Sequence, residues 1–89
     1  MTEHEILTTA IRTFGEKTQE RQAIEECAEL IQAINHKHRG RPSNIPEEIA
    51  DVEIMLEQLK IINDCADEVK SMREIKLARL YQRVFDMCL

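Results

Sequence analysis

The sequence predicts an all-α protein made of one domain with four helices. Apolar residues recur at helical spacing in four segments of the chain. Only two Gly and two Pro interrupt the 89 residues, so helix-breaking residues are scarce. The chain is 43% hydrophobic and 33% charged, a balance typical of a globular protein rather than a disordered one. A chain this short buries a modest core, and small domains often gain stability by oligomerising.

A glycine separates the first two predicted helices. Thr2 and Glu5 have the spacing of a capping box, and the short first helix should stop near Gly15. The second helix should run from roughly Glu16 to His38. Its apolar stripe, which predicts packing in a bundle, comprises Ala23, Ile24, Cys27, Ala28, Leu30, Ile31 and Ile34.

A polar break over residues 39–44 precedes the third helix, which should run from about Pro46 to Asn63. Asn44 and Glu47 have the spacing of a second capping box. After another polar turn, the fourth helix should run from about Asp67 to Met87. Its predicted core face consists of Val69, Leu77, Leu80, Tyr81, Val84 and Phe85.

Charge and cysteine content narrow the possible functions. The net charge of -5 argues against nucleic-acid binding, which relies on a basic surface. Charges interrupt every apolar stretch, so we expect neither a signal peptide nor a membrane span. Cys27, Cys65 and Cys88 form no Cys-x-x-Cys pair, and we expect reduced core cysteines in a cytoplasmic protein.

Two pairs of acidic residues are the chemically informative feature of the chain. Glu26 and Glu29 lie three residues apart on the second helix, and Glu48 and Asp51 lie three apart on the third. Residues at this spacing share nearly one helix face. If the two helices pack against each other, up to four carboxylates converge, and converging carboxylates repel unless a cation lies between them.

Each pair also has an ordinary explanation. Glu26 and Glu29 fall at the edge of the apolar stripe, where surface glutamates are common. The helix dipole favours acids in the first turn, which partly accounts for Glu48. It does not account for Asp51, which falls on the apolar side of the third helix. A buried salt bridge to Lys76 or Arg79 is the alternative to metal binding there.

The donor set indicates which cation would fit. Four carboxylates without a histidine at ligand spacing suit a hard cation, which favours Mg²⁺ with Mn²⁺ as a substitute. The Glu-x-x-His signature of ferritin-like di-iron proteins is absent from both acidic motifs.

Two further sets of polar residues have alternative interpretations. Lys76, Arg79 and Arg83 fall on one stripe of the fourth helix. This stripe would suit a polyphosphate, or it forms a solvated flank or salt bridges to the many acids. Gln19 and Gln22 precede the first acidic pair and either contact a base or are simply solvated.

The acidic motifs in their sequence context resemble those of the all-α nucleoside triphosphate pyrophosphatases, the superfamily of MazG-like enzymes and dimeric dUTPases. The resemblance rests on the segments Gln22–Leu30 and Glu47–Val52, which contain Glu-x-x-Glu and Glu-x-x-Asp. The chain end, with Lys76, Arg79, Leu80 and Arg83, is similar to small MazG-like proteins of phages and bacteria. The similarity extends over most of the chain.

The resemblance implies a four-helix module assembled as a homodimer or homotetramer. It implies Mg²⁺-dependent hydrolysis of a nucleoside triphosphate between the α and β phosphates, giving a monophosphate and pyrophosphate, for house-cleaning or nucleotide-pool control. The implied roles are metal ligation by Glu26, Glu29, Glu48 and Asp51, activation of water by Glu25 or Glu29, and substrate contacts by Lys76, Arg79, Arg83 and Gln22. The alternative is a non-catalytic nucleotide-binding or helical interaction module on the same scaffold. No motif indicates which base or sugar is bound.

Overall fold

The computed structural model describes residues 1–88 as four α-helices with no strand among them. The helices are α1 (Glu3–Phe14), α2 (Glu16–His38), α3 (Ile45–Ile62) and α4 (Ala66–Cys88). The predicted helix order is therefore confirmed: α2 has the predicted ends, α1 stops before Gly15 as predicted, and the ends of α3 and α4 are shifted by one residue. None of the described helices combines the length and the apolar character that crossing a membrane requires.

The start and end of α1 follow the predicted local chemistry. The Thr2 hydroxyl accepts a hydrogen bond from the backbone N–H of Glu5 at 3.1 Å, which satisfies one of the free amides of the first turn. Gly15 ends the helix with φ of 94°, a conformation that residues with a Cβ rarely adopt. This residue lets α2 begin at once in a new direction, so α1 can lie against both α2 and α3.

The loop before α3 differs from the predicted capping box. Asn44 makes no side-chain hydrogen bond to the backbone of α3; its Nδ2 instead donates to the Glu47 carboxylate. Pro46 lies in the first turn, where no hydrogen-bonded amide is lost. Glu47 and Glu48 follow in the same turn, where the helix dipole favours negative charge.

The centre of the fold is the α2–α3 pair, which packs more extensively than any other two helices. Its core is small: the buried apolar side chains are Leu7, Ala23, Ala33, Val52 and Met55. Two glutamines are buried with them. The Nε2 of Gln19 on α2 donates to Oε1 of Gln58 on α3 at 2.8 Å. An unpartnered buried amide would cost about 1–3 kcal/mol, so each glutamine depends on the other.

Half of the predicted α2 stripe is not covered in the single chain. Ile24 is 69% exposed, Ile31 60% and Ile34 41%. The buried apolar residues of α2 are the small residues Ala23 and Ala33. Within one chain, therefore, only part of the stripe that the sequence predicts to pack in a bundle is covered.

The predicted core face of α4 also requires correction. No described residue of α4 is buried, and the helix contacts α3 but not α1 or α2. Val69 is half-buried, whereas Leu77, Leu80, Tyr81, Val84 and Phe85 are 48–65% exposed. Helical spacing identified a real apolar face, but the rest of the same chain does not cover it.

The overall dimensions agree with this open arrangement. The chain has a radius of gyration of 16.3 Å, against about 12 Å for a compact domain of this length. Its accessible surface is 7311 Å², against about 5400 Å² for a folded monomer of this mass. About 1900 Å² of surface is therefore in excess of what a self-contained domain exposes.

Candidate functional site

Three carboxylates meet where α2 and α3 pack together. Glu26 and Glu29 lie one turn apart on α2, and Glu48 lies in the first turn of α3. One carboxylate oxygen from each of the three lies within 4.8 Å of the others. The i, i+3 spacing and the antiparallel packing together produce this group, which we call the carboxylate cluster.

The cluster contains unsatisfied oxygens. Glu26 and Glu48 are half-buried, and the Oε2 atom of each is buried without a hydrogen-bond partner. A buried carboxylate oxygen without a partner is costly, and two such oxygens on neighbouring helices add mutual repulsion. A bound cation would relieve both costs, so the residues present fit a hard divalent ion.

Electrostatics within the cluster act on its most exposed member. The charge of Glu26 raises the pKa of Glu29 above its ordinary value of 4.5, and partial desolvation and the charge of Glu48 raise it further. A neighbouring negative charge disfavours ionisation, so Glu29 holds its proton more readily than an isolated glutamate does. The cause of this pKa shift is the short separation of the three carboxylates, whose oxygens lie within 4.8 Å of one another.

Asp51 lies outside the carboxylate cluster. It is half-buried on α3, one turn after Glu48, but none of its oxygens joins the group of three. The alternative of a salt bridge to Lys76 or Arg79 does not occur within residues 1–88. The ion pair in that part of the chain joins Lys60 to Glu57, at 2.6 Å.

Gln22 contacts the cluster directly. Its Nε2 donates to Oε1 of Glu26 at 2.8 Å. One oxygen of Glu26 is thus held by an amide of the same helix, while the other is the unsatisfied oxygen described above. Glu25, one of the two candidates for activating water, is exposed on α2 beside this pair.

The three basic residues of the predicted phosphate stripe stay apart from the acids in the single chain. Lys76, Arg79 and Arg83 are exposed on α4, and α4 makes no contact with α2. The isolated chain therefore does not bring these basic residues to the two acids of α2, and their contact with phosphate stays a prediction.

A large groove lies away from the cluster. It has a volume of about 1040 Å³ and is formed by α1, α3 and α4, with Leu7, Ile54 and Val69 among its lining residues. None of the predicted site residues lines it.

The buried Gln19–Gln58 pair is the feature that sequence reasoning missed. Gln19 was expected to contact a base or solvent, and Gln58 was not singled out. A signal was present in the spacing: Gln19 precedes the buried Ala23 by one turn, and Gln58 follows the buried Met55 by one turn. Polar residues at core positions of two neighbouring helices suggest a hydrogen bond between them.

The cysteines agree with expectation only in part. Cys27 and Cys65 are half-buried, and all three thiols are free, but Cys88 is exposed rather than part of the core. A cytoplasmic location remains a prediction from the sequence.

Comparison with known proteins identifies one family. The family model of the MazG nucleotide pyrophosphohydrolase domain matches residues 14–84, which include α2, α3 and most of α4. No curated protein and no solved structure matches the chain significantly. The matched range contains both acidic motifs and the basic stripe, so the resemblance noted from the sequence is confirmed.

Proposed function

Because the chain belongs to the MazG nucleotide pyrophosphohydrolase domain family, we propose that it hydrolyses a nucleoside triphosphate between the α and β phosphates. The products are a nucleoside monophosphate and pyrophosphate, and the reaction requires Mg²⁺ or, as a substitute, Mn²⁺. The observation that carries the proposal is the carboxylate cluster, with its two buried oxygens that lack partners.

Glu26, Glu29 and Glu48 are the residues that would hold the ion. Asp51 is proposed as a fourth ligand, because it shares a face of α3 with Glu48 and is half-buried. Gln22 keeps the Glu26 carboxylate oriented by donating to one of its oxygens. When bound, a divalent cation in such a site polarises phosphate oxygens and lowers the pKa of coordinated water.

The exposed acids are proposed to handle the attacking water. Glu29 and Glu25 lie on the accessible side of α2, where either carboxylate can accept a proton from water. In the reaction, the water oxygen bonds to phosphorus, the anhydride P–O bond between the α and β phosphates breaks, and the water proton passes to the carboxylate. Pyrophosphate leaves with the electron pair of the broken bond.

The basic stripe of Lys76, Arg79 and Arg83 is proposed to contact the substrate phosphates. Guanidinium and ammonium groups offset negative charge on polyphosphates. Since α4 does not reach α2 within one chain, we propose that assembly brings this stripe to a carboxylate cluster, with the α4 of one subunit beside the site of another.

The homodimer or homotetramer is supported by exposed apolar area. Seven large apolar side chains of α4 are 47–65% exposed, and the chain carries roughly 1900 Å² more surface than a folded monomer needs. Obligate homodimers bury about 2000–5000 Å² over both partners, so an excess of this size per chain is what such an interface would cover.

The decisive experiment incubates the protein with a panel of canonical and modified nucleoside triphosphates, with and without Mg²⁺, and measures pyrophosphate release. We expect turnover of at least one nucleotide that stops when the metal is chelated. Glu48→Gln should lose this activity, whereas Glu53→Gln, an exposed acid elsewhere on α3, should retain it. Metal-dependent nucleotide binding with no turnover across the panel would instead establish the non-catalytic binding module.

A further inference from the structure

The two glutamines at the centre of the α2–α3 contact are not explained by burial alone. Gln58 is 3% exposed and Gln19 8%, and they are the buried polar side chains of the described residues. A buried hydrogen-bonded pair rarely stabilises a core more than apolar side chains of similar volume would. A core with only five buried apolar side chains has little reason to include two amides for stability.

The positions of the glutamines relate them to the carboxylate cluster. Gln19 precedes Glu29 by ten residues on α2, and Gln58 follows Glu48 by ten residues on α3. The two helices are antiparallel, so the amide pair and the carboxylates lie at matching heights, about 15 Å apart along the helix axes. Pairing Gln19 with Gln58 therefore places Glu29 level with Glu48.

The other contacts between the helices do not specify that alignment. The buried apolar side chains of the two helices are Ala23, Ala33, Val52 and Met55, and burial of apolar surface is non-directional. Repulsion among the carboxylates favours any sliding motion that separates them. A hydrogen bond between two buried amides is directional, and sliding by one helical turn would leave both amides without partners.

We propose that Gln19 and Gln58 are positioning residues that fix the register of α2 against α3 and so hold Glu26, Glu29 and Glu48 at cation-binding separation before an ion arrives. This inference rests on the proposed metal-binding function. The pair acts through the helices rather than by touching the ion or the substrate. A single buried polar pair is a known means of setting helix register.

The test replaces both glutamines by leucine, Q19L/Q58L, which removes the hydrogen bond without leaving an unpartnered amide. Q19M/Q58M, with unbranched side chains, serves if the leucine pair does not fold. Met55→Leu is the matched control, because it changes a buried neighbour on the same face of α3 and nearly conserves volume. Helix content by circular dichroism verifies folding of each variant.

The first measurement reports register without any metal. Spin labels are placed at the exposed positions Lys37 on α2 and Glu53 on α3, with the native cysteines replaced by alanine and labelled chains diluted in unlabelled protein. These positions are well separated along the axis, so sliding by one turn changes their distance by up to about 5 Å. We expect one narrow distance distribution for the parent and for Met55→Leu, and a shifted or broadened one for Q19L/Q58L.

The second measurement is Mn²⁺ affinity, followed by the EPR signal of free Mn²⁺. We expect binding at least tenfold weaker in Q19L/Q58L, the range seen when residues that orient metal ligands are removed, and unchanged binding in Met55→Leu. Unchanged label distances in the folded leucine pair, or unchanged Mn²⁺ affinity despite shifted distances, would overturn the inference. A parent protein that binds no Mn²⁺ would defeat the metal-site proposal, while the label distances alone would then decide whether the glutamines set the register.

Discussion

Glu26 on α2 and Glu48 on α3 each bury one carboxylate oxygen without a hydrogen-bond partner, and both belong to one three-carboxylate cluster. No donor in the described part of the chain forms a hydrogen bond to either oxygen. The two residues are 22 positions apart in the sequence, so their meeting depends on the packing of α2 against α3. This relationship leads to opposite expectations for stability and for metal binding.

Neutralising one member of the cluster should stabilise the metal-free protein. Glu48→Gln removes one negative charge from the cluster, whose repulsion costs about 1 kcal/mol at these separations in a largely solvated setting. A gain of that size in the free energy of unfolding raises Tm by roughly 4–8 °C for a domain this size. Thermal unfolding in EDTA measures the effect. Glu53→Gln on the exposed side of α3 should leave Tm unchanged, and a lower Tm for Glu48→Gln would show that the repulsion is weaker than the favourable interaction of Glu48 with the helix dipole.

With metal bound, the unmodified protein should instead have a higher Tm than Glu48→Gln. A ligand that binds only the folded state stabilises it by about 2.7 kcal/mol at one hundred times its Kd, so saturating Mn²⁺ should raise the Tm of the unmodified protein well above its value in EDTA. Glu48→Gln and Glu26→Gln should show little response, since each removes a proposed ligand. Melting curves over a Mn²⁺ titration check this, and an equal response in all three proteins would place the ion elsewhere.

The raised pKa of Glu29 predicts how metal-free stability depends on pH. The folded state binds this proton more tightly than the unfolded chain does, because Glu26, desolvation and Glu48 all raise the pKa. Protonation of Glu29 therefore stabilises the folded state fully at pH values below its ordinary pKa of 4.5. This stabilisation is lost as the pH rises through the raised pKa of the folded state. Comparing Tm against pH in EDTA for the parent and Glu29→Gln isolates this contribution. Glu25→Gln, at an exposed position on the same helix, is the control and should follow the parent.

Mutations in the basic stripe should weaken substrate binding and leave metal affinity unchanged. Arg79→Ala or Arg83→Ala is expected to weaken substrate capture, lowering kcat/KM about tenfold or more as an ionic phosphate contact is lost. Mn²⁺ affinity should not change. Lys70→Ala, which lies on a different side of α4 at ~100° per residue, should retain full activity. Steady-state kinetics with the best nucleotide of the panel, paired with Mn²⁺ titration, separates the two effects; loss of Mn²⁺ binding in Arg79→Ala would contradict the assigned role.

The apolar face of α4 should hold subunits together. Leu80→Glu places a charge in a face that we propose is buried between chains, which should shift the protein toward monomer and reduce activity. Gln82→Glu introduces the same charge on the opposite side of α4, where it should have no effect. Sedimentation velocity over a range of concentrations distinguishes the variants. A stable, active monomer for the unmodified protein at micromolar concentration would refute the shared site.

Local features of this fold were predictable because their causes are local. The Thr2–Glu5 cap, the stop at Gly15 and the limits of α2 depend on residues within one or two turns of each other. The acidic motifs were likewise readable, because residues three apart share a helix face whatever surrounds the helix. The same argument placed Glu48 and Asp51 toward the buried side of α3, and both are half-buried.

The sequence by itself determined the four helices, the two acidic pairs and the existence of an apolar face on α4, since each follows from periodicity along one segment. Only the tertiary structure decided that Glu26, Glu29 and Glu48 converge without Asp51, that Gln19 and Gln58 pair, and that the α4 face remains uncovered in one chain. These outcomes depend on the register and crossing of separate helices. Periodicity shows which side of a helix seeks a partner, but the partner and its alignment are set by long-range packing.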